Sequence, residues 1–184
     1  MKKFAVVLAG NGVFDGAEIH EATLTLLAIK KNGAEYEIFA PDILQHHVIN
    51  HLTGKEMAET RNVLVESARI ARGKIKPISE FNAREFDALI FPGGFGVAKN
   101  LCNFASRGSD CTIDPSTEKT IREMASLKKP IGAMCISPVL IAKTLGNVEV
   151  TLGSDPNDAT NIRRMGAVHI NTGHGEVIKD PHRP

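Results

Sequence analysis

Six consecutive apolar residues, 4–9 (FAVVLA), run straight into Gly10-Asn11-Gly12. A strand with one wet face alternates apolar and polar side chains, so a run that is apolar at every position demands cover on both faces. That is the setting of a central strand in a parallel sheet. The signature recurs at Ala88–Phe91, which enters Pro92-Gly93-Gly94, and at residues 131–136, while 36–41 and 148–152 read as further strands. Helical patterns lie between them. From Asp15 onward Ile19, Ala22, Leu26 and Ile29 fall at helical spacing, Asp15 and Glu18 are spaced as a capping box, and Gly33 ends the segment. Residues 62–72 form a helix stopped by Gly73 and preceded by a polar excursion at 51–60. Asp114-Pro115 supplies an N-cap and an N1 proline for a helix through Ser126, and 137–145 is a short helix closed by Gly146. Residues 168–171 and 177–179 add a late hairpin. Such alternation implies an α/β sandwich with a largely parallel sheet, and 184 residues suit a single domain over 1–184.

Lys and Arg number 22 against 21 for Asp and Glu, a formal net charge of +1. No global field gathers nucleic acid, which leaves small molecules as the expected ligands. No stretch approaches the roughly 18 consecutive apolar residues of a membrane span, and the opening Met1-Lys2-Lys3 leads into a strand, not a signal peptide. Three cysteines at wide spacings, Cys102, Cys111 and Cys135, suit neither a disulfide framework nor a zinc site. A cytoplasmic location is expected.

Ligands of open parallel sheets lie beyond the carboxyl ends of the strands. There stands Cys135, followed by Ser137 and Pro138 opening a short helix: a nucleophile elbow, with a helix N-terminus that favours thiolate. On this ground Cys135 is expected to be the most acidic thiol. A lone cysteine in a buried strand is otherwise a small core residue. Backbone N–H groups of Gly94 and Ile136 could meet above the sulphur as an oxyanion site, although Gly93-Gly94 also suits a plain turn. Glu18 would reach the same edge as a proton carrier, while its spacing alone favours the capping box. His46, His47 and His51 lack a cysteine or paired carboxylate at ligand spacing and read as solvated loop residues, so no metal is expected. His174-Gly175-Glu176 has the H-x-E form of an amidotransferase triad, but it lies in a turn-rich segment and reads as surface.

Gly16-Ala17-Glu18, ALIFPGG at 88–94 and GAMCISP at 132–138 together resemble the PfpI/ThiJ superfamily, the class I glutamine amidotransferase-like fold. GVFDGAEIHEATLTLLAI at 12–29, VINHLTG at 48–54, ETRNVL at 59–64 and PGGFGVAKNLCNFASRGSDCTID at 92–114 are similar to its ElbB-type branch, known as glyoxalase or isoprenoid-biosynthesis proteins. The resemblance covers the chain to about Asp180; the branch generally continues into another strand and helix, which the chain is expected to lack. It implies a flavodoxin-like three-layer sandwich, a reactive Cys135, a partner Glu18, an oxyanion site from Gly93, Gly94 and Ile136, Cys111 on a loop over the site, and a homodimer. It also implies a glyoxalase that converts small 2-oxoaldehydes to 2-hydroxy acids without a cofactor, or a protein deglycase. A redox or electrophile sensor, or a non-catalytic interaction protein, remains open beside these. Many relatives place a histidine where this chain has Gly153-Ser154-Asp155, so turnover is expected to be slow and glutaminase activity absent.

Overall fold

The computed structural model describes residues 1–183. Five strands build one parallel sheet: β1 (Lys3–Val7), β2 (Glu35–Ala40), β5 (Lys76–Pro77), β6 (Ala88–Phe91) and β7 (Ile131–Ala133), in the order β5-β2-β1-β6-β7. Between β2 and β5 the chain makes a small antiparallel hairpin of β3 (Val48–Asn50) and β4 (Lys55–Met57), which occupies the polar excursion of the sequence. Side chains of β1 alternate between two cores, as the period of a strand requires. Val6 and Leu8 pack with Ala22, Leu26 and Ile29 of α1 (Ile19–Lys31), on the face that also receives Ala71 of α2 (Val63–Ala71). Ala5, Val7 and Ala9 join Leu89, Phe91, Ile121, Met124 and Leu140 on the other face. That face carries α4 (Pro115–Ser126) and α5 (Pro138–Leu145), and it is approached through the one-turn α3 (Phe104–Arg107). The result is a flavodoxin-like three-layer α/β sandwich.

Two expectations are corrected, and one element is added. Helix α1 starts at Ile19, not near Asp15, because residues 10–17 close a loop of their own: the Gly12 N–H donates to the Ala17 carbonyl (2.9 Å) and the Gly16 N–H to that of Gly12 (2.7 Å). Ile19 is accordingly exposed, off the core face. The late hairpin does not form. Val168–His169 is a strand, β9, that pairs in parallel with β8 (Glu149–Val150), and residues 177–179 are irregular. Between β8 and β9 runs a helix absent from the sequence reading, α6 (Pro156–Arg164), capped by Asp155. Among the described residues no helix is long and apolar enough to cross a membrane.

The chain order fixes where a ligand goes. From β1 it winds outward through β2 to β5, then returns across the sheet to lay β6 on the other side of β1. Beyond the carboxyl ends of β1 and β6 the connections diverge and leave a crevice, bordered by the Gly10–Ala17 loop and by Pro92-Gly93-Gly94.

Candidate active site

Strand β7 delivers Cys135 to this crevice. The Met134 N–H donates to the Phe91 carbonyl (3.2 Å), the chain turns at Cys135 with φ +57°, and the Ser137 N–H donates back to the Met134 carbonyl (3.0 Å). A left-handed backbone at a cysteine costs on the order of 1 kcal/mol and persists only where its surroundings enforce it. Here the buried Ser137 hydroxyl donates to the Pro92 carbonyl (2.8 Å), pinning the elbow to the loop after β6 before Pro138 starts α5. Cys135 is exposed, unlike the other two cysteines.

The loop after β6 can approach because two side chains are missing. A Cβ on Gly93 would lie 2.4 Å from Cys135 Cβ, 2.6 Å from Glu21 Oε2 and 3.0 Å from Cys135 Sγ. Gly94 has φ +101°, and a Cβ there would meet the Glu18 nitrogen and the Gly16 carbonyl oxygen at 2.4 Å. Backbone N–H groups of Gly94 and Ile136 bear on the Cys135 sulphur, the pair expected from sequence.

The carboxylate at the thiol is Glu21, not Glu18. The Gly93 N–H donates to Glu21 Oε2 (2.7 Å), and Glu21 and the Cys135 sulphur flank the point that a Gly93 side chain would fill. Glu18 is instead the N-cap of α1: its Oε2 accepts from the Glu21 N–H (2.7 Å) and its Oε1 bonds His20 Nδ1 (2.8 Å). Burial works against its charged form, but the Glu21 N–H and His20 outweigh it and hold the carboxyl below its ordinary range. The Asp15–Glu18 capping box is corrected at the same time. Asp15 is buried in the preceding loop, where its Oδ2 accepts from the Ile49 N–H (2.7 Å). Glu21 was missed because the helix starts three to four residues later than expected. That displacement is about one turn, so the carboxylate one turn onward takes the place assigned to Glu18.

The expected acidity of Cys135 is also corrected. Burial pushes its thiol up, the Gly94 N–H pulls it down, and the negative charge of Glu21 pushes it up again, leaving the thiol above its ordinary value. Cys111, expected on a loop over the site, lies in the irregular segment before α4 but is buried in the core, as is Cys102. They share a hydrogen bond that raises the Cys102 thiol and lowers that of Cys111 to about 7. At the position where the resemblance led to the expectation of a histidine, Asp155 caps α6 by accepting from the Asn157 N–H (2.7 Å). His169 is buried and its Nε2 accepts from the Leu152 N–H (3.1 Å), while His174 is exposed.

A protein of Rattus norvegicus named "ES1 protein homolog, mitochondrial" is 47% identical over 188 residues, covering 97% of this chain and 71% of that protein. "Glutamine amidotransferase-like class 1 domain-containing protein 3, mitochondrial" of Homo sapiens is 49% identical over 177 residues, 91% of this chain and 66% of its own length. The chain thus spans about two thirds of these curated relatives. The crystal structure of an isoprenoid biosynthesis protein with amidotransferase-like domain from Ehrlichia chaffeensis superposes with a TM-score of 0.92 at 41% identity, over 100% of this chain and 84% of that one. A ThiJ/PfpI domain protein from Brachyspira murdochii shares the fold alone, at 18% identity and a TM-score of 0.58 over 97% of this chain and 82% of its own. No family model matches. The names of the rat and human relatives overturn the expected cytoplasmic location, since both are called mitochondrial. Composition and cysteine spacing are blind to the difference, because both compartments hold soluble, metal-free, disulfide-poor chains. Sharing close to half its residues with proteins that it largely spans, and the ThiJ/PfpI sandwich with its structural neighbours, the chain belongs to the ES1 family of class I glutamine amidotransferase-like proteins.

Proposed function

We propose that the protein is a cysteine-dependent, cofactor-free glyoxalase that converts small 2-oxoaldehydes such as glyoxal and methylglyoxal to 2-hydroxy acids. The observation that carries this reading is Cys135 on its left-handed elbow, with the Gly94 and Ile136 N–H groups and the Glu21 carboxylate all bearing on its sulphur. Cys135 sulphur adds to the aldehyde carbon, and its proton passes through Glu21 to the alkoxide oxygen held by the two N–H groups, which leaves a hemithioacetal and Glu21 again as a carboxylate. Glu21 then takes the proton from the former aldehyde carbon of the hemithioacetal, and the enediol so formed is reprotonated at the neighbouring carbon. The resulting thioester is hydrolysed by water, which releases the hydroxy acid and restores the thiol. One carbon is oxidised as its neighbour is reduced, so glyoxal plus water balances to glycolic acid with no external oxidant. The raised thiol and the absence of a histidine at Gly153-Ser154-Asp155 make the reaction slow, since general acid–base help contributes roughly 10²–10⁴-fold.

Purified protein incubated with glyoxal and followed by NMR is expected to form glycolate, and Cys135→Ser to form none. Glycolate made equally by that variant overturns the proposal. Accumulation of a Cys135 adduct without glycolate converts it to stoichiometric electrophile capture, the sensor reading that the exposure of this thiol also supports. A homodimer is part of the same proposal. It is supported by α1, the helix that carries Glu21, which turns Leu24 (61% exposed) and Leu27 (53%) to solvent. Sedimentation of wild type as a dimer and of Leu27→Glu as a monomer is expected; a monomeric wild type removes this part.

A further inference from the structure

The loop after β6 continues into a π-helical turn, Val97–Leu101, in which the Cys102 N–H reaches back five residues to the Val97 carbonyl (3.1 Å). π-Turns are rare and concentrate at functional sites. This one is clamped by buried Asn100, whose Nδ2 donates to the Ala9 and Asp15 carbonyls (both 2.9 Å) and whose Oδ1 accepts from the His46 N–H (2.9 Å). Its neighbour Lys99 is thereby aimed at the segment before β3. Lys99 Nζ donates to the Phe14 carbonyl (2.9 Å) and to His47 Nε2 (3.0 Å), and His47 Nδ1 faces Glu56 Oε2 of β4 at 3.9 Å.

Amine, imidazole and carboxylate therefore stand in a row, the arrangement in which a base activates a nucleophile and a third group orients the base. An ammonium group has no acceptor, so the bond from Lys99 leaves the His47 Nε2 lone pair free to take its proton, while Glu56 faces the opposite nitrogen. Beside the amine lies an apolar wall: Nζ is 5.1 Å from the centroid of the Phe95 ring, which is 49% exposed.

We propose that Lys99 is a nucleophilic amine that captures aldehydes as imines, with His47 as its proton acceptor, at a site distinct from Cys135. The free amine adds to the carbonyl carbon and the oxygen receives the proton held by His47. The nitrogen, cationic after the addition, returns a proton to His47, which passes it to the hydroxyl, and the freed nitrogen lone pair expels that oxygen as water, so amine plus aldehyde balances to imine plus water. An aldehyde with an aromatic or short apolar tail fits best, its tail on Phe95. The surrounding charges agree with this chemistry. Burial holds Lys99 below the ordinary lysine value against the pull of buried Asp15. Burial, Lys99 and His46 likewise hold His47 down against Glu56 and Asp15; His51, 3.8 Å from Asp15, is the remaining titratable group of the cluster.

Benzaldehyde with sodium cyanoborohydride at pH 7, followed by peptide mapping, reads out the imine as a stable benzylamine. The chain has thirteen lysines, and Lys99 is expected to be labelled severalfold faster than any of the other twelve, because its burial leaves more of the amine unprotonated and His47 stands ready to accept its proton. His47→Gln is expected to bring Lys99 down to the level of the others. In wild type the pH profile of Lys99 labelling should rise with a midpoint below the ordinary 10.5. Labelling at Lys99 no faster than elsewhere, or a midpoint at or above 10.5, overturns the proposal without recourse to a variant. Cys135→Ser is expected to leave Lys99 labelling intact, which separates this site from the glyoxalase proposal.

Discussion

At Cys135 access and acidity pull apart. The thiol is raised by burial and by Glu21, yet Cys135 is the exposed one, whereas Cys111, with its lowered value, lies in the core. In the folded protein iodoacetamide is therefore expected to label Cys135 first. Its rate should climb with pH along a curve whose midpoint lies above the ordinary thiol value, because a raised pKa keeps the proton on until higher pH. In Glu21→Gln the negative charge is gone, so the midpoint should fall; a midpoint that stays or rises contradicts the placement of Glu21. Gly93→Ala tests the same contact sterically. Its methyl would lie 2.4 Å from Cys135 Cβ, so the elbow must shift. Both loss of glyoxal turnover and destabilisation of about 1–3 kcal/mol in urea unfolding are expected, the ordinary cost of overpacking. A variant that keeps wild-type turnover shows that the loop after β6 does not confine the nucleophile.

Among the elements, α4 has the most complete start signal. Asp114 Oδ2 accepts from the Thr117 N–H (2.8 Å) and from its hydroxyl (2.9 Å), and Pro115 follows at N1. Asp114→Ala is expected to lower stability by about 1 kcal/mol in urea unfolding with an unchanged slope; no change means that the cap is replaced by solvent. This helix was legible because cap, proline and apolar period agree, and its bounds, Pro115–Ser126, match those read from sequence. The same Asp-Pro pair at Asp155-Pro156 opens α6, but Asp155 drew notice in the sequence only as part of the stretch where a histidine was expected. Helix α1 misled for a physical reason. Asp15 and Glu18 satisfy the capping-box spacing, and the competing closure of the Gly10–Ala17 loop depends on contacts with Gly93 and Ile49 that no local pattern reveals. The elbow at Cys135 and the glycines at 93 and 94 were legible as motifs. Which carboxylate reaches them was not, because a shift of one turn in the helix start is invisible to periodicity. The Lys99–His47–Glu56 row was equally hidden, since it joins the π-turn to a hairpin some forty to fifty positions earlier.

For the molecule as a whole, the return of the chain across β1 brings three separated segments to one crevice. The loop after β6 supplies Gly93 and Gly94, β7 supplies Cys135 and Ile136, and the first turns of α1 supply Glu21. Glu18 and Glu21 differ by one turn and by their partners, one holding the helix end and the other facing the thiol. The decisive measurement is therefore the rate of glycolate formation from glyoxal in Glu21→Gln beside Glu18→Gln. Glu21→Gln is expected to lose roughly 10²–10⁴-fold in rate, as for removal of a general base, with folding intact. Glu18→Gln should keep its rate within a few fold and lose instead about 1 kcal/mol of stability, as for a lost N-cap. An unchanged rate in Glu21→Gln, or the large loss appearing in Glu18→Gln, contradicts the assignment of Glu21 as the proton carrier beside Cys135.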